Sequence, residues 1–102
     1  MAVVLLVRIK SGLEFEELER RAIERMPRFR EVPGLIQKFY LRNSATGDVC
    51  GLYFFEDKAA LAAYRASELA KTIPAAYEAT EVTPEMFEVM FPLFKDRGPL
   101  TA

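Results

Sequence analysis

The pattern strand–helix–strand occurs twice along this chain, and few folds accept that order within 102 residues. Residues 2–10 are a Val/Leu/Ile run of strand length and β-branched character. Ser11-Gly12-Leu13-Glu14 matches a capping box, in which serine and glutamate satisfy the first free backbone donors of a helix. That helix runs to about residue 29, with Phe15, Leu18, Ala22, Met26 and Phe29 on one apolar stripe. Its other face is acidic first and basic later, which suits the helix dipole. Glu16 with Arg20, Glu17 with Arg21 and Glu24 with Arg28 stand four apart and can pair. Pro27 ends or kinks the last turn, and Pro33-Gly34 stops the element.

Residues 35–42 and 49–56 read as the two strands of a hairpin, joined by the turn-forming stretch 43–48. Asp57 caps a second helix, 58 to about 71, which Ile73-Pro74 interrupts; residues 75–79 form one more short helical piece. Pro84 introduces a last strand, 86 to about 94. The order is βαββαβ, an α+β ferredoxin-like domain over 1–94 with a four-stranded antiparallel sheet, followed by a loose tail over 95–102. Right-handed crossovers place both helices on one face of that sheet. Yet the strands are apolar on both sides. Val3, Leu5, Val7 and Ile9 alternate with Val4 and Leu6, and Phe87, Val89, Phe91 and Leu93 alternate with Met86 and Met90. An uncovered face of this kind is a large exposed patch, so the chain is expected to form a homodimer through the sheet face.

Composition removes several functions. Net charge is -1 with acids and bases interspersed, which argues against a nucleic-acid surface. No apolar run reaches the roughly 20 residues of a membrane helix. The apolar N-terminus lacks the basic start and cleavage site of a signal peptide, and the one cysteine, Cys50, fits a reducing compartment, so a cytoplasmic protein is expected. The chain has no histidine, which excludes Ser-His-Asp and Cys-His sites and His-ligated zinc or haem. No glycine-rich phosphate loop supports nucleotide binding.

The stretch from Val32-Pro33-Gly34-Leu35-Ile36-Gln37-Lys38-Phe39-Tyr40 to Gly51-Leu52-Tyr53-Phe54-Phe55-Glu56-Asp57 carries a recognisable pattern. Pro-Gly is followed by two apolar residues, a lysine two further on and an aromatic two after that; the hairpin returns with Gly, apolar, Tyr, apolar, Phe. It resembles the YdhR-like family of proposed monooxygenases, in the dimeric α+β barrel superfamily that also holds the antibiotic-biosynthesis monooxygenases. The resemblance implies oxygenation of a small aromatic or polyketide-like substrate with no cofactor and no metal. A phenol or enol would become an anion and give an electron directly to dioxygen, while the protein stabilises charge and excludes water. The other reading is a non-catalytic module of the same fold that binds a small ligand or only dimerises.

Strand alternation puts Lys38, Tyr40 and Arg42 on one face, and the expected hairpin register sets Tyr53 opposite Lys38 and Gly51 opposite Tyr40. A mid-strand cation among apolar residues costs energy unless it is paired or used. Lys38 therefore either holds a substrate anion or pairs with Glu88 or Glu56 at a dimer seam. Tyr40 and Tyr53 complete the candidate catalytic set, with core packing as their plainer role. Arg8, Arg42, Gly51, Phe55, Leu61 and Tyr64 are the candidate substrate-binding residues. For Arg8 a solvated strand end is the alternative, and for Tyr64 simple core packing. Cys50, with no histidine to activate it, reads as a small buried apolar group. Alternation alone leaves open which sheet face lines the pocket.

Overall fold

The computed structural model describes residues 1–99. Four strands, β1 (Val3–Ser11), β2 (Leu35–Arg42), β3 (Val49–Phe55) and β4 (Ala79–Glu88), form one antiparallel sheet in the order β2-β3-β1-β4. Helix α1 (Phe15–Arg30) joins β1 to β2. Helix α2 (Lys58–Ala66) and two single turns, α3 (Glu68–Lys71) and α4 (Ile73–Ala76), join β3 to β4. This is the expected βαββαβ ferredoxin-like fold, with the helices on one face. No described helix is long and apolar enough to cross a membrane.

The core lies between helices and sheet. Val3, Leu5, Val7 and Ile9 of β1 and Tyr53 and Phe55 of β3 bury against Leu18, Phe29, Leu61 and Tyr64. Gly34 sits at φ +76, and a Cβ there would lie 2.5 Å from the Ala60 Cβ. Glycine is thus needed twice over, for the turn into β2 and for close approach to α2.

Several local expectations are corrected. Ser11 is the last residue of β1 rather than a cap; its Oγ donates to the Tyr77 carbonyl at 2.7 Å and accepts from the Leu13 amide. Glu14 takes the cap position of α1 without a side-chain bond. Pro27 lies inside α1. Of the predicted pairs on α1, Glu17 does meet Arg21 at 2.8 Å, but Glu24 pairs with Arg20 instead of Arg28. Asp57 caps α2 as expected, accepting from the Ala60 amide at 2.8 Å, but the helix breaks at Ser67, which caps the next turn.

The last strand is displaced. It begins at Ala79, and Pro84 lies within it, opposite Val7. β4 is an edge strand, the place where a missing amide proton costs no ladder bond. Residues 89–99 hold neither helix nor strand, and Met90, Phe91, Leu93 and Phe94 are exposed. Residues 100–102 of the expected tail lie outside the described residues.

Candidate active site

The hairpin register is the expected one, Lys38 opposite Tyr53 and Tyr40 opposite Gly51. Because Tyr53 is 1% exposed beneath the helices, all four side-chain positions face the helix side. The pocket question left open by alternation is therefore answered: Lys38, Tyr40, Gly51 and Tyr53 line a cavity of about 230 Å³ between α1 and the sheet.

Lys38 is the centre of this site. Its Nζ stands 3.4 Å from the centroid of the Phe29 ring, 4.4 Å from that of Tyr40 and 4.5 Å from that of Tyr53. Among the described residues it makes no ion pair. Glu88, one expected partner, binds Lys58 at 2.7 Å instead. Burial pulls the Lys38 ammonium down to about 7, and the nearby Arg25 guanidinium acts in the same direction. The three ring faces work the other way, since they attract a cation. A lysine so placed can exist as a free amine near neutral pH.

Gly51 makes room for it. A Cβ at that position would come within 2.9 Å of Tyr53 Cε1 and 3.2 Å of Lys38 Cε. The space opposite Tyr40 is thus filled by the Lys38 and Tyr53 side chains.

Three of the four tyrosines, Tyr40, Tyr53 and Tyr77, line this cavity, and Tyr64 packs against Tyr53. Tyr64 donates its hydroxyl to that of Tyr53 at 3.1 Å, with the rings 5.2 Å apart. Burial first, then the neighbouring Tyr77 and Tyr64, push the Tyr40 hydroxyl up to about 12. Tyr53, Tyr64 and Tyr77 are also raised, mainly by burial, so these hydroxyls stay protonated and can donate. Arg25 packs its guanidinium 5.8 Å from the Phe29 ring and 5.7 Å from that of Tyr77, and its buried Nε has no partner among the described residues.

The remaining candidates divide. Arg42 lies at the cavity rim, 4.0 Å over the Phe15 ring. Phe55 is wholly buried behind Tyr53, stacked at 6.1 Å, and supports the site without reaching it. Leu61 borders a different depression, with Val3, Met86 and Phe87. Arg8 is on the opposite face of the sheet, paired with Glu85 at 3.3 Å, and does not guard this cavity. Cys50 is half-buried, and burial pushes its thiol up, away from reactivity. Sequence reasoning assigned Phe29 to the core only and missed Arg25 and Tyr77; their signal was the α1 stripe for the first and none for Tyr77, which arrives from a short turn far along the chain.

Solved structures with this fold include SnoaB, a cofactor-independent oxygenase from Streptomyces nogalater. It is similar at a TM-score of 0.74 and 16% identity over 90% of this chain and 96% of that one. A protein described as a putative antibiotic biosynthesis monooxygenase from Deinococcus radiodurans matches at a TM-score of 0.72 and 11% identity, over 91% and 96% of the two chains. One described in the same words, from Caulobacter crescentus, gives 0.72 and 16%, over 88% and 91%. At such identities the likeness concerns the fold. No curated protein matches the sequence. The family model described as "Putative mono-oxygenase ydhR" matches residues 4–97, nearly the whole chain and both halves of the lysine–tyrosine hairpin; the chain belongs to that family.

Proposed function

We propose that this chain is a cofactor-independent monooxygenase for a small, readily ionised aromatic, with Lys38 as its base. The observation that carries the proposal is the Lys38 amine, without an ion pair among the described residues and caged by Phe29, Tyr40 and Tyr53 at the wall of the cavity. Sequence reasoning found no base suited to neutral pH; a lysine held near 7 supplies one. As a free amine it takes the proton of a phenol or an activated CH. The resulting ammonium then sits beside the anion it has made and stabilises it. The substrate anion gives an electron to dioxygen, the two radicals couple to a peroxide, and loss of water leaves a new carbonyl. For a CH₂ centre the balance is CH₂ + O₂ → C=O + H₂O. Tyr40 and Tyr53 donate hydrogen bonds to the substrate oxygen, and Arg42 flanks the entrance.

At about 230 Å³ the cavity lies below the ordinary range of about 300–1,000 Å³ for drug-sized ligands. That favours a small aromatic over a large polyketide.

The open sheet face supports a homodimer. Phe39 is 42% exposed and Phe87 48%, on a surface they share with Val4, Leu6 and Phe54. Packing two such faces together removes the patch. A light-scattering mass of one chain at micromolar concentration would overturn this part. The single half-buried cysteine favours a cytoplasmic setting.

The three-ring cage also fits a quieter role, a ligand-binding module in which Lys38 is merely held. Oxygen uptake by the metal-stripped protein against hydroquinones and anthrones separates the two. Protein-dependent uptake with a stoichiometric oxygenated product is expected. If Lys38→Met then leaves turnover unchanged, the assigned role is wrong.

A further inference from the structure

We infer that Lys38 also acts as a nucleophile, forming a reversible Schiff base with the carbonyl of a small aromatic aldehyde or ketone bound in the helix-side cavity. This goes beyond oxygenation and does not depend on it: the same amine is used, but no dioxygen. An amine becomes nucleophilic in a protein when it is desolvated and set near another cation, because both favour the neutral form. Lys38 meets both conditions, lying under α1 with no carboxylate partner among the described residues and close enough to Arg25 to feel its charge. Its reach into the cavity is built into the sheet, since glycine at position 51 leaves the space its Cε needs.

The product is also suited to the site. Once the imine takes up a proton from water it is a cation, an iminium, and the faces of Phe29, Tyr40 and Tyr53 that attract the ammonium attract it too. The reaction balances without a further reagent. The nitrogen lone pair adds to the carbonyl carbon, and the C=O π pair moves to oxygen. Both amine protons then leave with that oxygen as water, so that R–NH₂ + O=CR′₂ gives R–N=CR′₂ + H₂O. Protonated hydroxyls at Tyr40 and Tyr53 are available to donate to the departing oxygen.

The other described lysines make a built-in control. Lys10 pairs with Glu81, Lys58 with Glu88 and Lys71 with Glu68, and these three and Lys95 all lie at the surface. Burial and the nearby Arg25 bring Lys38 well below the ordinary lysine range, so near neutral pH it reaches the free amine far more readily than those surface lysines.

The test is incubation of the folded protein with benzaldehyde and cyanoborohydride at pH 7, followed by intact mass and peptide mapping. The expected result is a benzyl adduct at Lys38, formed at least about tenfold faster than at Lys10, Lys58, Lys71 or Lys95. Lys38→Arg keeps the positive charge and should lose that adduct alone, with the thermal melt confirming that it folds. Labelling that follows surface exposure, with Lys38 unmodified, would overturn the inference. Oxygen uptake without an adduct would also overturn it while leaving the oxygenase reading intact; an adduct without uptake would support it against that reading.

Discussion

Both faces of the sheet carry long apolar runs in sequence and are used in opposite ways. On the helix side, Leu5, Tyr53 and Phe55 are almost completely buried, and Lys38 packs against Phe29, Tyr40 and Tyr53 with no counter-charge among the described residues. On the open side, Phe39 and Phe54 pack edge-on at 5.8 Å but stay accessible, and the cations there, Arg8 and Lys10, are each matched by a glutamate on β4. The matched charges are solvated and contribute little. The unmatched one is costly, and the fold retains it. On the proposed reading, the contrast separates a face for association from a face built around a reactive group.

Substitutions at neighbouring positions of β3 sharpen that contrast most. Phe55→Ala empties a fully buried site and should cost about 3–5 kcal/mol in denaturant unfolding. Phe54→Ala, one residue away on the open face, should cost less than about 1.5 kcal/mol in the protomer and instead weaken association by light scattering. Equal losses at the two positions would erase the distinction between the faces.

The pH dependence of stability comes next. The Lys38 ammonium is lowered in the folded chain, so between about pH 7 and its unfolded value of 10.5 the unfolded chain binds more protons than the folded one. Stability therefore rises with pH in that window, by about 2 kcal/mol between pH 7 and 9. The raised hydroxyls of Tyr40 and Tyr53 stay protonated in the folded chain across this window and oppose the rise only as unfolded tyrosine titrates near 10.0. Lys38→Met should flatten the slope and, at pH 6, match or exceed the wild type in stability. A slope that survives in that variant would mean the lysine is solvated.

Smaller effects probe the packing around the amine. Gly51→Ala drives a methyl against Tyr53 and Lys38 and should cost about 1–3 kcal/mol. Tyr53→Phe removes the acceptor of the Tyr64 hydroxyl and should cost about 1 kcal/mol. If Tyr53→Phe is neutral, that hydroxyl pair adds nothing to the site.

Much of this was legible in the residues. The turn-forming stretch 43–48 fixed the hairpin, and with it the pairing of Lys38 with Tyr53 and of Tyr40 with Gly51. The face these residues occupy was not legible, because alternation separates an apolar side from a polar one and this sheet has two apolar sides. Arg8 is different: parity with Val7, which pairs with Gly51, already places it on the other face, so that signal was present and unused. The last strand was misread for a physical reason. Its open side carries Glu81, Thr83 and Glu85, which look like loop residues, while the apolar stretch beyond it resembles a strand but continues the ladder only through the Val89 amide, which donates to the Ala2 carbonyl. Tyr77 could not be foreseen, since its position depends on how two single-turn helices fold back over α1.

The central claim is that Lys38 works as a free amine in the helix-side cavity, and the pH profile of oxygen uptake tests it most directly. With an anthrone whose own ionisation is subtracted, the wild-type rate should rise through about pH 7 and level off above it, as the amine loses its proton. Lys38→Met should lower the plateau by about 10²-fold or more and abolish the rise. A variant that keeps both the rate and the profile of the wild type would contradict the account.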